Sequence, residues 1–354
     1  MRYLSRRKFI KLCSAGAAGL GLAQTPLPSV AAAFTAASRG KPVVLWLQGA
    51  ACSGCTSSLM NSTYPQLKQL LQDIVEMRFH PQLVSTQLTL EALLQVAQEH
   101  RGRYILVLEG AIPTAKGGVY GLIHRTEQRT SSFLDVVQTL GQGAKFILAA
   151  GTCAAYGGIA AAQPNPGDCV GANNLLPADK VLNVPGCPPH PDWLIGSLAH
   201  VLMYGEMPER DDFGRARVFY EGVVHDNCPR RQYFDNSNFA LVFGEPGCLL
   251  EVGCRGPMAF ADCYNRQWNG GQNWCIRSGG PCLTCTHPNF PDGTTPVFKR
   301  MPNVSVLGIT TTADTIGKVA AAATALGVGI HLVGSYLAGR IGTKVPVKGG
   351  ENHG

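Results

Sequence analysis

The thirteen cysteines are the residues of this 354-residue sequence whose chemistry is most evident. Twelve lie in the body of the chain, six of them directly beside Gly or Pro: Cys52, Cys55, Cys153, Cys169, Cys187, Cys228, Cys248, Cys254, Cys263, Cys275, Cys282 and Cys285. Cysteines can form redox dithiols, zinc sites, disulfides or iron-sulfur sites, and a single Cys-x-x-Cys pair does not distinguish among them. The elements that position these cysteines must therefore indicate the chemistry.

Four short apolar runs rich in β-branched residues predict buried strands: Pro42–Gln48, Tyr104–Glu109, Lys145–Ala150 and Lys180–Val184. Each is uninterrupted and bounded by Gly or Pro, which is typical of strands covered on both faces of a parallel sheet. Stretches of mixed polarity between them, such as Ser57–Val75 and Leu88–Gln98, predict helices. This alternation predicts a doubly wound, flavodoxin-like α/β domain over residues 42–205.

Cysteines follow three of the four predicted strands directly. The first run leads into Cys52-Ser-Gly-Cys55, the third into Cys153 and the fourth into Cys187. Because the carboxyl ends of parallel strands share one sheet edge, we expect these four thiols to converge there. A 4Fe-4S cluster takes four thiolates, although a tetrahedral zinc ion would accept the same set.

The segment at residues 211–298 predicts an irregular second domain. Regular apolar runs give way there to Gly, Pro, Cys and aromatic residues, so the segment has little core of its own and needs a covalent or metal staple. A disulfide scaffold is the alternative interpretation. It is disfavoured because half of the cysteine motifs lie on the long α/β domain.

The first 33 residues have the pattern of a twin-arginine export signal. Ser5-Arg6-Arg7-Lys8-Phe9 precedes the apolar stretch Leu12–Leu22 and a small-residue site at Ala31-Ala32-Ala33. This export route carries folded, cofactor-loaded proteins. The signal therefore favours cofactors inserted in the cytoplasm over disulfides formed after export.

Near the other end, Val319–Gly339 contains no Asp, Glu, Lys or Arg and predicts a transmembrane helix. An Ala-rich amphipathic or core helix is the alternative, since Ala contributes little to insertion and His331 opposes it. Arg340, Lys344 and Lys348 follow, which predicts a cytoplasmic carboxyl end and a body attached to the periplasmic face of the inner membrane.

The overall composition excludes two classes of protein. With 45% hydrophobic residues the chain is too apolar to be disordered. The net charge of +7 is partly carried by the basic residues at the two ends, so no nucleic-acid surface is predicted.

The cysteine motifs as a group resemble those of the small subunits of nickel-iron hydrogenases. Three phrases are similar to that family's proximal-cluster motifs: Gly49-Ala-Ala-Cys52-Ser-Gly-Cys55, Gly151-Thr-Cys153-Ala-Ala-Tyr-Gly-Gly158 and Val184-Pro-Gly-Cys187-Pro-Pro-His-Pro-Asp-Trp193. Phrases similar to its distal-cluster motifs are His225-Asp-Asn-Cys228, Cys248 and Gly253-Cys254-Arg-Gly-Pro257. Phrases similar to its medial-cluster motifs are Asp262-Cys263, Asn273-Trp-Cys275 and Pro281-Cys282-Leu-Thr-Cys285.

The resemblance implies three iron-sulfur clusters held by twelve ligands. A proximal 4Fe-4S cluster would be held by Cys52, Cys55, Cys153 and Cys187, a distal 4Fe-4S cluster by His225, Cys228, Cys248 and Cys254, and a medial cluster by Cys263, Cys275, Cys282 and Cys285. Cys169 is left as a free thiol without a ligand role.

Three positions depart from the commoner pattern of that family. Many relatives have Pro where this chain has Cys275, and their medial cluster is 3Fe-4S. A fourth thiol here implies a medial 4Fe-4S cluster, with 3Fe-4S as the alternative. Ala51 and Ser57 replace glutamates of many relatives, and together with Cys275 they make the chain similar to the nickel-iron-selenium branch.

The implied function is that of an electron-transferring subunit in a heterodimeric hydrogenase. The large subunit would cleave H2 at its nickel-iron centre, and this chain, without catalytic residues of its own, would relay electrons to a cytochrome or an iron-sulfur protein. One alternative is a hydrogen sensor on the same fold. Another is a one-cluster subunit like that of respiratory complex I, which would lack the segment His225–Cys285.

Four further residues lie outside the ligand sets, three histidines and one glutamate. His80, His190 and His287 are expected to have structural roles. Glu109, at the end of the second predicted strand, either caps a turn or serves the partner or a proton route.

Overall fold

The computed structural model describes residues 41–84, 89–125, 130–300, 304–306, 309–311 and 313–340. The predicted export signal lies outside these residues. The chain divides into two compact units, residues 1–300 and 301–354. The first unit carries the twelve cysteines from Cys52 to Cys285 and is called the body below.

A five-stranded parallel sheet forms the centre of the body. The strands of the body are β1 (Val43–Gln48), β2 (Glu76–Phe79), β3 (Ile105–Glu109), β4 (Ile112–Pro113), β5 (Leu122–Arg125), β6 (Thr130–Ser132), β7 (Phe146–Ala150), β8 (Cys169–Val170) and β9 (Val181–Val184). The sheet has the order β2-β1-β3-β7-β9, and each neighbouring pair is parallel. This is the order of flavodoxin-like sheets, so the predicted parallel α/β architecture is confirmed.

Helices cover both faces of this sheet. Apart from the distorted turn Ala115–Gly118, the α-helices in the described part of the body are α1 (Gly54–Met60), α2 (Leu67–Gln69), α3 (Leu90–Glu99), α4 (Phe133–Gly143), α5 (Gly151–Tyr156), α6 (Pro191–Tyr204), α7 (Arg217–Tyr220), α8 (Arg231–Asp235) and α9 (Cys263–Arg266). Alternate residues of each strand enter different clusters: Val44 and Trp46 pack in one, Leu45 and Leu47 in the other. Burial on both faces explains why the strands are continuous apolar runs.

The structure differs from the predicted helix at Ser57–Val75. Helix α1 ends at Met60, and α2 begins only at Leu67 and continues as a π-helical turn over Leu70–Ile74. Pro65 lies in the gap, and a proline disfavours helical geometry at the residue before it. The sequence interpretation also missed β2, because this edge strand is only half buried and contains the ion pair of Glu76 with Arg78.

The irregular segment shares one of the sheet's hydrophobic clusters. Strand residues such as Val107 and Leu182 belong to the same cluster as Phe219, Trp274 and Ile276. Regular structure after residue 205 is limited, in the described residues of the body, to short helical turns and isolated bridges. The backbone of this segment is therefore fixed by packing on the sheet, by backbone hydrogen bonds in turns, such as Val224 N to Ala259 O, and by side-chain hydrogen bonds.

The second unit contains a small hairpin and a long helix. Strands β10 (Val304–Val306) and β11 (Ile309–Thr311) pair antiparallel, and helix α10 spans Ala313–Leu337. Within α10, the 20 residues Lys318–Leu337 have a mean hydropathy of 1.5 and are long and apolar enough to cross a membrane. The predicted apolar helix is therefore present.

Candidate functional site

The proximal set, Cys52, Cys55, Cys153 and Cys187, meets at the carboxyl edge of the sheet. Cys55 lies in the first turn of α1 after β1, Cys153 lies in α5 after β7, and Cys187 follows β9. Burial raises the pKa of Cys55 well above the usual thiol value, and the negative charges of Glu109, Cys153, Cys52 and Cys187 raise it further. The other three thiols are thus close enough to Cys55 for their charges to affect its pKa, as the strand order predicted.

Two glycines allow the backbone to approach these sulfur atoms. A Cβ on Gly151 would lie 2.5 Å from Cys55 Sγ, and a Cβ on Gly158 would lie 2.8 Å from Cys153 Sγ. Both also have positive φ, at +89° and +51°. A side chain at either position would be strained and would fill the space between the thiols.

Glu109 joins the loop that carries Cys55 to the end of β3. Its buried carboxylate accepts hydrogen bonds from the backbone N–H groups of Cys55 at 3.0 Å and Thr56 at 3.2 Å. Trp46 Nε1 and Gln48 Nε2 donate to the same carboxylate at 3.0 and 2.9 Å. Glu109 therefore caps the first turn of α1, where a negative charge is favourable.

Three of the histidines outside the ligand sets, His80, His190 and His287, have structural contacts. His80 is buried, and burial lowers its pKa to about 4. Its Nδ1 accepts from the backbone N–H groups of Gln82 and Leu83. His190 Nδ1 accepts from Asp192 N at the start of α6, and His287 Nδ1 accepts from Asn289 N.

The medial set, Cys263, Cys275, Cys282 and Cys285, lies beside the proximal set. Burial raises the pKa of Cys263 well above the usual value, and the charges of Cys285, Cys282, Asp262 and Cys275 raise it further. Burial also raises the pKa of Cys285 to about 12, and Cys187 of the proximal set is among the groups that influence it.

The distal set, His225, Cys228, Cys248 and Cys254, borders the medial set. Burial raises the pKa of Cys228, and the charges of Cys254 and Cys248 add to the increase. A Cβ on Gly256 would contact both Cys254 Sγ at 3.4 Å and His225 Cβ at 3.7 Å, so this glycine lies between those two residues.

A backbone hydrogen bond joins the distal set to the medial set. The backbone N–H of Arg255, the residue after Cys254, donates to Cys282 O at 2.6 Å. Cys254 is also close enough to Cys282 for its charge to raise the pKa of Cys282. The three sets therefore follow one another in the order proximal, medial, distal.

The spacing of the donors within each set bears on the kind of group they could hold. Among the described residues, no three His, Cys, Asp or Glu side chains are gathered closely enough to share a single metal ion. The twelve cysteines of the body are free thiols rather than disulfides. Burial opposes the ionisation of these clustered thiols. They therefore fit a group that brings several positive metal ions, because those charges stabilise the thiolates.

Cys169 is the one cysteine in the described part of the body that lies outside the three sets. It is buried in β8, and its backbone N–H donates to Asn165 Oδ1 at 2.8 Å. Burial raises its pKa, with smaller contributions from Asp168 and Cys153. Cys169 is thus a buried free thiol whose described contacts are those of a structural residue.

The sequence interpretation missed two threonines beside the predicted ligands. Thr56 donates from Oγ1 to the Glu109 carboxylate, and Thr284 lies fully buried between Cys282 and Cys285. Adjacency to a cysteine motif was the only sequence signal available for either residue.

Comparison with known proteins assigns the family. Residues 220–298 match the family model for the C-terminal part of the NiFe/NiFeSe hydrogenase small subunit, and residues 52–201 match NADH ubiquinone oxidoreductase, 20 Kd subunit. The periplasmic NiFeSe hydrogenase small subunit of Desulfomicrobium baculatum is 40% identical over 312 residues, which cover 83% of this chain and 98% of that protein. The chain belongs to the small subunits of nickel-iron hydrogenases.

Other relatives of this small subunit agree with that assignment. The periplasmic NiFe hydrogenase small subunit of Solidesulfovibrio fructosivorans is 37% identical over 84% of this chain and 93% of that protein. The crystal structure of a reduced, active Ni-Fe-Se hydrogenase from Desulfomicrobium baculatum superimposes with a TM-score of 0.70 at 37% identity, covering 74% of this chain and all of that one. The family predicted from the cysteine motifs is confirmed.

Proposed function

We propose that this small subunit relays electrons, through three iron-sulfur clusters in line, between the nickel-iron centre of a partner large subunit and a redox acceptor. The observation that carries the proposal is that the medial set lies next to both the proximal set and the distal set. When bound, the clusters supply one-electron redox chemistry. The chain itself orients the ligands.

The ligand assignment follows the three sets. Cys52, Cys55, Cys153 and Cys187 would hold the proximal 4Fe-4S cluster. The distal 4Fe-4S cluster would be held by His225, Cys228, Cys248 and Cys254. The medial cluster would be held by Cys263, Cys275, Cys282 and Cys285, whose four thiols favour 4Fe-4S over the 3Fe-4S alternative.

The distal histidine changes the charge of the last site. A neutral imidazole in place of a thiolate removes one negative charge from the ligand set, and this suits a site from which electrons leave. Phe234 packs edge-to-face on the His225 ring, with 4.6 Å between the ring centroids, and restricts its orientation.

The large subunit would cover the proximal end of the relay. Cys52 and Cys187 are exposed in the isolated chain, and so are the apolar side chains of Met60 and Ile159 on the flanking elements. Burial of this edge against the large subunit would bring the proximal cluster close to the nickel-iron centre and would exclude water from it.

The acceptor would bind near the distal set. Leu241, Val242 and Phe243 form an exposed apolar tip in the loop that leads from Phe239 to Cys248. Phe239 and Cys248 are themselves bridge partners. An apolar tip this close to the electron exit suits a cytochrome or iron-sulfur partner.

The body would lie on the periplasmic face of the inner membrane. The twin-arginine pattern at Arg6 and Arg7 supports export of the folded complex, and the apolar helix α10 supports attachment. Arg340 and the lysines after it favour a cytoplasmic carboxyl end.

Iron analysis of the purified heterodimer tests the relay. We expect about twelve small-subunit iron atoms, in addition to the iron of the large subunit, if three cubane clusters are present. Cys153→Ser should reduce this count and remove the proximal signal in electron paramagnetic resonance. Cys169→Ser is the matched control, because it removes a buried thiol outside the three sets and should leave the iron count unchanged.

Two results would contradict the proposal. One is wild-type protein that contains zinc but little iron in the small subunit. The other is an equal loss of iron in Cys153→Ser and Cys169→Ser, which would mean that the proximal set has no special role.

A further inference from the structure

Thr284 carries a buried hydroxyl without a hydrogen-bond partner in the described protein. The residue is 1% exposed, and its Oγ1 is one of the few buried side-chain oxygens there that lack a donor or acceptor. It lies between Cys282 and Cys285, two of the medial thiols. A buried hydroxyl of this kind is unfavourable unless some acceptor outside the polypeptide is available to it.

The backbone of Thr284 is also in an unfavourable conformation. Its φ is +49°, in the left-handed region that a β-branched residue rarely adopts and that a glycine would adopt without strain. The conformation is held by hydrogen bonds on both sides. Thr284 N donates to Cys282 Sγ at 3.4 Å, and Thr284 O accepts from His287 N at 3.0 Å.

The chain therefore retains a threonine where its backbone would favour glycine and where its hydroxyl has no protein acceptor. Strain of this kind persists when the side chain has a use at the site. The nearest non-protein acceptors in the proposed function are the inorganic sulfides of a medial cluster, since the thiols on both sides of Thr284 belong to that set.

We propose that the Thr284 hydroxyl donates a hydrogen bond to a sulfur of the medial cluster and raises the cluster's reduction potential. This inference rests on the proposed relay and adds to it a residue that positions and tunes the cluster. Reduction adds negative charge to the cluster sulfurs, so a hydrogen bond to one of them stabilises the reduced form more than the oxidised form. With this hydrogen bond, the medial cluster would be easier to reduce than without it.

Three variants of the purified heterodimer separate the hydroxyl from the backbone strain. Thr284→Val keeps the shape and removes the hydroxyl, Thr284→Gly removes both the hydroxyl and the strain, and Thr284→Ser keeps the hydroxyl. The measurement is the midpoint potential of the medial cluster, followed by electron paramagnetic resonance during a redox titration. Thermal unfolding of each variant is measured beside it.

We expect Thr284→Val and Thr284→Gly to disfavour reduction of the medial cluster by about tenfold, which is a decrease of about 59 mV for a one-electron couple. Thr284→Ser should titrate close to the wild type. Thermal unfolding of Thr284→Gly reports the balance between relief of the positive φ and loss of a buried side chain. The wild type should show one exchangeable-proton coupling to the reduced medial cluster that Thr284→Val lacks, in addition to the couplings from backbone N–H groups, such as Thr284 N, that both proteins share.

The outcomes distinguish this inference from the proposed function. A wild-type heterodimer without a medial cluster would overturn both. A normal medial cluster whose potential is the same in the wild type, Thr284→Val and Thr284→Gly would overturn the inference alone. An equal shift in Thr284→Ser and Thr284→Val would also overturn it, because it would show that packing rather than the hydroxyl sets the potential.

Discussion

Cys275 is the thiol that determines the iron content of the medial cluster in the proposed relay. The Cys275 residue is exposed, whereas the other three thiols of its set are partly covered, and burial around its sulfur raises its pKa. Four thiols can hold each iron of a cubane, but three leave one corner without a protein ligand. The identity of this single residue therefore separates a 4Fe-4S from a 3Fe-4S medial cluster.

We expect the wild-type protein, as isolated and oxidised, to show no stoichiometric 3Fe-4S signal in electron paramagnetic resonance. Cys275→Ala should create such a signal, because the variant loses one iron ligand. The medial potential should rise at the same time, since a thiolate charge is removed. Cys169→Ser provides the control and should leave the spectrum unchanged.

The contrary result for Cys275 is equally specific. A 3Fe-4S signal near one spin per molecule in undamaged wild-type protein, unaltered by Cys275→Ala, would show that Cys275 is a spectator. The number of ligands in the proposed assignment would then fall from twelve to eleven.

At the scale of elements, the irregular segment depends on buried arginines where it has no regular structure. Arg255 is buried, and its guanidinium donates to Thr294 O at 3.1 Å and to Pro296 O and Lys299 O at 2.9 Å each. It joins the turn beside Cys254 to the last residues of the body. In this segment, side-chain hydrogen bonds and backbone hydrogen bonds in turns replace the ladders that hold strands together.

We expect Arg255→Ala to destabilise the body by about 3 kcal/mol, because three carbonyl groups, including that of the buried Thr294, lose charged donors. The measurement is the thermal unfolding of the purified heterodimer, with limited proteolysis to locate cleavage between residues 290 and 300. Arg277→Ala is the matched control, since Arg277 is exposed and donates only to the Gln267 side chain among its described contacts. Equal destabilisation by both variants would contradict the role given to Arg255.

Helix α10 is the element proposed to attach the complex to the membrane. A chain ending before Val319 should give an active, soluble heterodimer, because the proposed ligands all precede this point and the helix gains free energy mainly by leaving water. Val328→Arg should also weaken attachment, by about 3 kcal/mol for a charge at the centre of the helix, whereas Val328→Leu should not.

Fractionation of membranes checks this expectation. The truncated protein should appear in the supernatant after salt and carbonate washes, with its hydrogenase activity measured by dye reduction. Retention of the truncated form in washed membranes would mean that a partner protein provides the anchor.

At the scale of the whole molecule, the proposed export signal requires that assembly of the body precede export. On the proposed twin-arginine route, the clusters would be inserted and the large subunit would be bound before export, because that route accepts folded complexes. We expect the double change of Arg6 and Arg7 to Lys to leave active enzyme in the cytoplasm. Arg2→Lys, outside the pair, is the control and should export normally.

Cell fractionation with an assay of hydrogenase activity measures the outcome. Unchanged periplasmic activity in the double variant would show that this end of the chain is not the export signal. The signal would then lie elsewhere in the complex.

The sequence by itself determined four of the five strands of the sheet and the edge at which the proximal cysteines meet. Runs such as Tyr104–Glu109 are apolar throughout because both faces of the strand are buried, and this local property can be recognised without knowing the partners of the strand. Cysteines directly after β1, β7 and β9 then had to meet at one edge, because parallel strands end on the same side. The family followed from the order of the cysteine motifs.

Only the tertiary structure decided the features that depend on contacts between distant parts of the chain. Strand β2 is an edge strand with polar residues, and its pairing with β1 rather than its composition makes it a strand. The contact of Glu109 with Cys55 and Thr56 crosses more than fifty residues. The approach of the medial set to the proximal set follows from the path of an irregular segment, which packing on the sheet fixes and which no local periodicity encodes.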